Sequence, residues 1–381
     1  MPLSNVFQTS CIQEQVSMLG DAFAIAGEFV ECDTINSGHI NTTFCASYRR
    51  DDGQIDRYIF QRVNDAVFPC PRDVMHNVEK VCNHIQWKML RVLKSPFRQT
   101  LTLYAAKGGR KYLELQGSGF WRCYNFLENT YTCDVAETPR QAFQAAQAFG
   151  AFQQLLCDMN PADIHETIPN FHHTRRRFDR LMAVALTDKH NRLKNCQEEL
   201  DFIRQREHYV DTVLNLLAKS IIPTRIVHND TKINNVMLDK DTDQAVCVID
   251  LDTVMPGTLL YDFGDMVRTM TSPAEEDDED LSKTYMRLPM FEAVTRGFHD
   301  SVKDFITPTE IEYLSFSGLL ITLETGIRFL TDYLEGDVYF KTHRPEHNLH
   351  RARTQLKLVA SMEEQMQQMQ ECVEKTFAQK D

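Results

Sequence analysis

The sequence predicts an α+β protein with two lobes. The first is a small antiparallel β-rich N-terminal lobe over residues 1–127, and the second is a larger, mainly helical C-terminal lobe over residues 128–381. The chain has 381 residues, which is more than one hydrophobic core usually serves. Short β-rich runs separated by Gly and Asp turns fill its first part, and long stretches with helical periodicity follow.

The N-terminal lobe is predicted to be an antiparallel meander interrupted by one helix. Apolar residues at helical spacing place that helix over residues 73–92. The turn DDGQ joins the second predicted strand to the third. The runs predicted as strands are EFVECDTI, TTFCASYR, RYIFQRV, TLYAA, KYLELQ and GFWRCYNFL.

The C-terminal lobe is predicted to open with a helix capped by Thr138, with Pro139 at its first helical position. Methionines at helical spacing in MEEQMQQMQECVEK predict a last helix that faces either the core or a second copy of the chain. The chain is therefore expected to be a monomer or a homodimer. Around a strand-rich island at 225–252, further helices are predicted over 175–220, 308–335 and 346–378.

Composition excludes several classes of function. A net charge of −13 at pH 7 disfavours binding to a phosphate backbone, and the basic cluster HHTRRR at 172–177 is interpreted as a solvated helix start. No apolar run approaches the length that spans a bilayer, so no membrane contact is expected. The N-terminus lacks the pattern of a secretory signal, and the eleven cysteines form no CxxC pair. Reduced thiols and a cytoplasmic location are expected.

The segment RIVHNDTKINNVMLDKDTDQAVCVIDLDTV carries the most specific signal. It predicts a polar loop with Asp230 and Asn235, followed by a hairpin turned at KDTD. The hairpin ends at Asp250 and Asp252, and alternation along a strand would point both carboxylates to the same side. These four residues offer one base and three oxygen ligands of the kind that Mg²⁺ prefers.

Phosphoryl transfer needs this inventory, because a carboxylate orients the accepting hydroxyl and metal ligands hold the phosphates. The spacing His-x-Asp-x₄-Asn followed by an Asp matches a kinase catalytic loop and metal aspartate. The alternative is that these residues only cap turns. The tripeptide Asp262-Phe263-Gly264 spells the protein-kinase DFG but follows a later turn, so Asp250 receives the metal role. Asp262 and Asp265 are expected to cap the next helix and brace the loop.

Through HNDTKINN and VIDLD the sequence resembles the aminoglycoside phosphotransferase and choline kinase superfamily, distant relatives of protein kinases. Within it, the sequence is most similar to the N-acetylhexosamine 1-kinases. The resemblance implies a bilobal protein-kinase-like fold. It also implies ATP-dependent phosphorylation of the anomeric hydroxyl of N-acetylglucosamine or N-acetylgalactosamine, with Mg²⁺. It extends through GHINTTF, YIFQRVN, WRCYNFLENT, IPNFHHTRRR, VIDLDTVMPGTLLYDFGDMVR, GIRFLTDYLEGDVYFK and EHNLHRARTQ.

Carried over by position, the resemblance makes Asp230 the catalytic base and assigns Asn235, Asp250 and Asp252 to Mg²⁺. It assigns Arg328 and Tyr339 to the sugar. A guanidinium offers a fork of donors for sugar oxygens, and a tyrosine offers a hydroxyl and a ring face. Without the resemblance, an ion pair of Arg328 with Glu324 or Asp332, each four residues away, is an equally good interpretation.

In the N-terminal lobe, the resemblance assigns Gly38 and Asn41 to the nucleotide phosphates, in a turn whose backbone amides could cover them. His39 is predicted to reach the sugar, with a plain turn residue as the alternative. The phosphate-pairing lysine of kinases is absent, and YIFQRVN offers Arg62, or Gln61, in its place. The segment from Tyr124 to Leu127 is predicted to receive adenine.

Three alternative functions remain open at this point. A kinase of the same fold for an amino alcohol, an aminoglycoside or another sugar is favoured if the acidic loop SPAEEDDEDLSK at 272–283 borders the substrate. A non-catalytic module with the kinase fold, or a metal-dependent hydrolase, would also carry clustered aspartates. Retention of Asp230, Asn235 and Asp250 together argues against the non-catalytic module.

Overall fold

A computed structural model of the protein describes residues 11–35, 41–91 and 100–378. These residues form two compact units. The first takes in the described chain up to Thr130 together with Ala162–Pro169 and Ile249–Met255, and the second contains the remainder. The predicted mixture of an antiparallel N-terminal sheet and a helical C-terminal part is confirmed. The domain boundary after residue 127 stays a prediction.

The first unit is built on a five-stranded antiparallel sheet in the order β1-β2-β3-β5-β4. The predicted run TLYAA is not a strand and contributes a single bridge between Leu103 and Tyr124. The elements are α1 Ile12–Ala22, β1 Glu28–Ile35, β2 Thr42–Arg49, β3 Ile55–Val63, α2 Pro71–Met89, β4 Leu113–Leu115 and β5 Gly119–Asn125.

The two faces of this sheet have different chemistry. One face packs against α1 and holds the core, in which Phe44, Phe60 and Trp121 meet Leu19 and Phe23. Burial of these large apolar side chains is the main favourable term in the folding of this unit. The opposite face is polar where β2, β3 and β5 run in register, because Thr43 pairs with Gln61 and Gln61 with Arg122.

The second unit is mainly helical. Its first helix is capped by Thr138, whose hydroxyl accepts from the Gln141 N–H, and Pro139 follows as predicted. A two-residue strand, β6 at Thr130–Tyr131, precedes this helix. The elements after β6 are α3 Pro139–Leu156, α4 Thr174–Thr187, α5 Gln197–Arg204, α6 Thr212–Ala218, β7 Arg225–Val227, β8 Val236–Asp239, β9 Ala245–Val248, β10 Met255–Gly257, α7 Leu259–Thr271, α8 Leu288–Val302, α9 Pro308–Glu312, α10 Leu314–Glu335, α11 His347–Glu364 and α12 Met366–Ala378.

The structure tests two predictions about the helices of the second unit. The stretch 175–220 is not one long helix, because short 3₁₀ turns and loops separate α4, α5 and α6. The last helix, α12, buries Met369 and Val373 and packs on α8, so its apolar stripe faces the core. No helix in the described part of the chain is long and apolar enough to cross a membrane.

The strand-rich island forms as predicted up to the end of its hairpin. Strands β8 and β9 pair antiparallel across the predicted turn. Beyond β9 the prediction is wrong, because Asp250 has a left-handed backbone with φ of 57° and the next three residues form a 3₁₀ turn. Asp250 and Asp252 therefore do not alternate along a strand.

Candidate active site

The loop from His228 to Asp230 is braced by the carboxylate of Asp262. Its oxygens accept the backbone N–H groups of His228 at 2.9 Å and Asn229 at 2.7 Å. The Thr231 hydroxyl donates to the Asp262 carbonyl at 2.6 Å. The predicted bracing by Asp262 is thus confirmed. The predicted capping is wrong, because the hydroxyl of Thr258 caps α7.

Asp230 lies at the centre of this loop and is held from two sides. The Asn235 side chain donates to the Asp230 carbonyl at 2.8 Å and to its carboxylate at 3.0 Å. Lys232 Nζ lies 3.2 Å from the other carboxylate oxygen. Burial opposes ionisation of Asp230, but the charges of Lys232, His228 and Arg268 outweigh it and lower its pKa. The carboxylate is therefore ionised near neutral pH and can accept a proton or a hydroxyl hydrogen bond.

Lys232 belongs to a chain of alternating charges that connects Asp230 to the acidic loop. The charge of Asp230 raises the pKa of Lys232 against the effect of burial, with a further contribution from Glu276. Glu276 pairs with Arg268 at 2.8 Å, and Arg268 pairs with Asp265 at 2.8 Å. Sequence analysis did not predict a role for Lys232. A lysine two residues after the proposed base could have indicated an ion pair with Asp230.

Most other carboxylates of the acidic loop lie close to basic side chains, several of them near the start of α11. Asp277 lies 2.8 Å from Arg344 and 2.7 Å from His347. Glu279 lies 3.1 Å from Arg344 and 3.6 Å from His350. Lys283 lies within 4 Å of Asp278 and Asp280. Among the described residues of this loop, Glu275 is the one carboxylate with no Lys, Arg or His side chain within 4 Å.

In the first unit, Asp252 is the centre of a separate buried cluster. Its Oδ1 accepts from the Arg122 guanidinium, and its Oδ2 accepts from Asn41 at 2.7 Å. The side-chain oxygen of Gln61 accepts two further hydrogen bonds from the Arg122 guanidinium. The Gln61 amide nitrogen donates to the Thr43 hydroxyl at 3.1 Å. Both partners of the ion pair are almost fully buried, with side-chain exposures of 1% for Arg122 and 2% for Asp252. Burial lowers the pKa of Arg122, but Asp252 and its neighbours more than offset this and keep the group charged.

Arg122 and Arg62 lie on opposite faces of the sheet. In the sheet register Arg62 pairs with Trp121, whereas Gln61 pairs with Arg122. Paired residues share a face and neighbours along a strand alternate, so Arg62 lies on the opposite face from Arg122 and Asp252. The cation beside Asp252 is therefore Arg122, and the phosphate contact assigned to Arg62 stays a prediction. Sequence analysis missed Arg122 because it lies within the run GFWRCYNFL, which was interpreted only as a strand.

A second cluster in the helical unit surrounds Arg328 on α10. Its guanidinium lies 5.0 Å from the ring centroid of Phe171 and 5.6 Å from that of Phe340. Neither ion pair considered from the sequence forms, because Glu324 bonds to His172 and Thr174 instead. Within the described chain Arg328 has no hydrogen-bond or ion-pair partner, so its donors are available to a ligand.

Asp332, the other considered partner of Arg328, fixes the loop that carries Tyr339. Its carboxylate accepts the backbone N–H groups of Val338, Tyr339 and Phe340 at 2.8–3.0 Å. The side chain of Asn348 donates to the same carboxylate at 2.9 Å. The loop backbone is thereby fixed, while the Tyr339 side chain remains 55% exposed.

Arg177 adds a second guanidinium near Arg328. It donates to the Phe171 carbonyl at 3.1 Å, while its buried Nε has no hydrogen-bond partner among the described residues. Burial lowers the pKa of Arg177, and the like charge of Arg328 lowers it further. The region around Phe171 and Tyr339 therefore carries two cations, and Glu324 is already bonded elsewhere.

A known protein family and several solved structures are similar to this chain. Residues 32–288 match the model of the phosphotransferase enzyme family, which is more than half of the chain. The chain belongs to this family. The phosphotransferase also resembles three solved structures in fold. The first is an aminoglycoside phosphotransferase from Alicyclobacillus acidocaldarius, with a TM-score of 0.57 and 13% identity over 91% of this chain and 92% of that one. The second is a microcompartment-associated aminopropanol kinase, with a TM-score of 0.56 and 15% identity over 93% of this chain and 98% of that one. The third is an amicoumacin kinase bound to AMP-PNP and Ca²⁺, with a TM-score of 0.55 and 13% identity over 93% of this chain and 95% of that one.

The three predicted Mg²⁺ ligands of this phosphotransferase differ in the oxygens that they leave for a metal. In the second unit, both hydrogen bonds of the Asn235 side chain use its Nδ2, which leaves the Oδ1 as an oxygen ligand. In the first unit, both oxygens of Asp252 already accept protein donors, and the role of Asp250 as a ligand stays a prediction. No group of three or more His, Cys, Asp or Glu side chains suited to a metal occurs in the described ranges.

The predicted nucleotide residues of the phosphotransferase lie in different settings. Tyr124 is buried on β5, and Leu127 follows that strand with its carbonyl accepting from Thr130 at 2.7 Å. The Leu127 N–H has no acceptor among the described residues and is free for an adenine nitrogen. The Asn41 side chain donates to the Asp252 carboxylate and accepts from the Asn64 N–H. Gly38 and His39 lie outside the described residues.

Proposed function

We propose that the protein is an ATP-dependent kinase of N-acetylhexosamines. It would transfer the γ-phosphoryl group of ATP to the anomeric C1 hydroxyl of N-acetylglucosamine or N-acetylgalactosamine and release the sugar 1-phosphate. Membership of the phosphotransferase family supports the reaction class. One observation carries the choice of acceptor: the Arg328 guanidinium has no polar partner within the described chain and lies near the rings of Phe171 and Phe340.

An unpaired guanidinium beside aromatic rings suits a neutral ligand rich in oxygen. Its donors match ring hydroxyls and an acetamide carbonyl, and aromatic faces pack against the apolar face of a sugar ring. A cationic acceptor would meet repulsion from Arg328 and Arg177. The carboxylates that could have compensated are already bonded: Glu324 to His172, and Asp277 to Arg344 and His347.

The proposed chemistry relies on positioning and electrostatics. Ionised Asp230 accepts the hydrogen bond of the anomeric hydroxyl and orients its oxygen toward the γ-phosphorus. It takes the hydroxyl proton as the new P–O bond forms, while the bond from the γ-phosphorus to the β,γ-bridging oxygen breaks and ADP leaves. Lys232 favours the ionised form of Asp230. Asn235 and Asp250 would hold Mg²⁺, which when bound neutralises charge on the phosphates. Arg122 and Asn41 would keep the segment that follows Asp250 in place through Asp252.

Two rivals lead to different measurements. A kinase of the same fold for an amino alcohol or an aminoglycoside is suggested by the neighbours in fold, one of which is an aminopropanol kinase. The paired state of the acidic loop weighs against a cationic acceptor. A non-catalytic binding module would need a defective loop, whereas here Asp230 is ionised and hydrogen-bonded to Asn235.

The test is ADP release measured with Mg²⁺ and ATP against a panel of acceptors. The panel contains N-acetylglucosamine, N-acetylgalactosamine, glucose, galactose, choline, 1-amino-2-propanol and kanamycin. Release with the two acetylated sugars alone is the expected result, and product analysis should place the phosphate on C1. Release with choline, aminopropanol or kanamycin instead would overturn the acceptor assignment. Absence of release across the panel would favour the binding module.

A further inference from the structure

His172 joins two parts of the helical unit that the proposed reaction uses separately. Its Nδ1 lies 2.8 Å from Glu324 Oε1, and its Nε2 lies 3.3 Å from the backbone carbonyl oxygen of Asn229. The ring is largely buried, with a side-chain exposure of 6%, and packs 4.8 Å from the ring of Tyr261. One imidazole thus contacts helix α10 on one side and the loop of Asp230 on the other.

Both partners of this ring are hydrogen-bond acceptors. A backbone carbonyl cannot donate, and the second oxygen of Glu324 already accepts from the Thr174 hydroxyl. A glutamate side chain is ordinarily ionised at neutral pH, so Glu324 Oε1 is an acceptor for His172 while its other oxygen accepts from Thr174. A neutral imidazole has one N–H and would leave one contact without a proton, whereas an imidazolium donates from both nitrogens. The geometry is satisfied by the charged ring.

The contact on the loop side falls on an unusual backbone position. Asn229 has a left-handed backbone with φ of 65°, which Asn tolerates better than most residues but which still needs surrounding support. Its N–H donates to Asp262, and its carbonyl accepts from His172. The peptide group between Asn229 and Asp230 is therefore held at its oxygen by the imidazole, directly before the proposed base.

The contact on the helix side lies next to the proposed sugar residue. Glu324 precedes Arg328 by four residues on α10, which is about one helical turn. Phe171, the neighbour of His172 in sequence, packs near the Arg328 guanidinium. The imidazole and its neighbour therefore contact both the helix of Arg328 and the loop of Asp230.

We propose that His172 is a positioning residue of the phosphoryl-transfer site. As an imidazolium paired with Glu324, it donates to the Asn229 carbonyl, fixes the backbone from which Asp230 projects and sets that loop relative to the helix of Arg328. The inference rests on the proposed function, because it gives Asp230 and Arg328 the roles assigned there. No proton leaves His172 in the reaction, so it acts through the loop rather than on the substrate.

The kinetic test compares His172→Gln with the double variant His172→Gln/Glu324→Gln. A glutamine carries both donor hydrogens on one nitrogen, which cannot occupy the positions of both ring nitrogens, so one contact is lost. We expect kcat to fall about 10- to 100-fold with the ATP KM within about twofold. In the double variant, the amide at position 324 can donate to the amide at position 172, which can in turn donate to the Asn229 carbonyl. We expect at least a roughly threefold recovery of kcat. His208→Gln, at an exposed histidine, is the matched control and should keep wild-type values.

A purely structural role would give another pattern. The amount of folded protein and the melting temperature would fall while kcat per folded molecule stayed at the wild-type value, and this would overturn the proposal. Absence of recovery in the double variant would also overturn the claim that the missing donor causes the defect. Folded protein is quantified for every variant by size-exclusion chromatography and by titration with AMP-PNP.

The protonation state is tested without any turnover. Wild-type protein labelled with ¹⁵N-histidine gives long-range ¹H–¹⁵N spectra, in which His172 is assigned by its loss in His172→Gln. Protons on both ring nitrogens under the assay conditions are expected, and a neutral tautomer would overturn the inference. If wild-type protein shows no sugar-dependent ADP release, the proposed function fails, and this spectrum still decides whether the imidazolium bridge exists.

Discussion

Replacing Arg122 with Met should lower the free energy of unfolding of the first unit by about 3–5 kcal/mol. The side chains keep similar length, but the change removes the cation from a pair whose members are 1% and 2% exposed. Asp252 would then retain one donor, Asn41, for a buried carboxylate. Gln61 would lose both hydrogen bonds that its oxygen accepts from Arg122. An uncompensated buried charge is the main cost, because its desolvation is no longer offset.

Tryptophan fluorescence can follow this loss, since the two tryptophans of the chain, Trp87 and Trp121, both lie in the first unit. Urea titrations would give the free energy and its dependence on denaturant for each variant. Arg72→Met is the matched control, because the Arg72–Glu114 pair lies on the surface of the same unit and should change the midpoint little.

A double-mutant cycle isolates the pair from the other contacts. Arg122→Met/Asp252→Asn removes the stranded charge, so it should be more stable than Arg122→Met alone, with a coupling free energy of about 1–3 kcal/mol. A loss of less than about 1 kcal/mol in Arg122→Met, or additive effects in the cycle, would refute the reasoning. Either result would mean that Asp252 is hydrated or neutralised by another group.

Four further outcomes are expected. Asp230→Asn should fold and bind AMP-PNP but lose about 10²–10⁴-fold in kcat, and retained turnover would remove Asp230 from the role of base. The folded-state pKa of Asp230 lies below its ordinary value, so ionised Asp230 stabilises the folded protein fully above about pH 4. This contribution is lost only as the pH falls through the lower folded-state pKa. Thermal unfolding between about pH 5 and 8 should therefore show no loss of stability from Asp230. Arg328→Ala should raise the sugar KM about 10- to 100-fold and leave the ATP KM nearly unchanged, and equal changes in both would count against a sugar contact. Asp250→Asn should raise the Mg²⁺ concentration for half-maximal activity about tenfold or more without shifting the melting temperature, whereas an unchanged Mg²⁺ titration would exclude Asp250 as a ligand.

Local sequence patterns predicted the local structure well. The runs 28–35 and 42–49 form strands at those bounds, because alternation and flanking turns are encoded within a few residues. Thr138 and Pro139 start a helix for a similarly local reason. The spacing of Asp230 and Asn235 predicted their proximity, since five residues cannot separate them far.

Properties that depend on residues far apart in sequence could not be predicted in this way. The pairing of Arg122 with Asp252 spans 130 residues, and nothing in GFWRCYNFL marks its arginine as buried. Choosing between Arg62 and Gln61 needed the register of β3 against β5, because a shift of one residue exchanges the faces. The left-handed backbone of Asp250 likewise breaks the alternation assumed for a strand.

The loop held by Asp332 has a consequence for how acceptor preference could evolve. Its path is fixed through main-chain N–H groups at residues 338–340, and these groups are present whichever side chains the positions carry. Substitutions at Tyr339 or Phe340 can therefore alter the surface offered to an acceptor while the main chain keeps its course. Laboratory selection for new acceptors should accumulate changes at these two positions and retain Asp332 and Asn348.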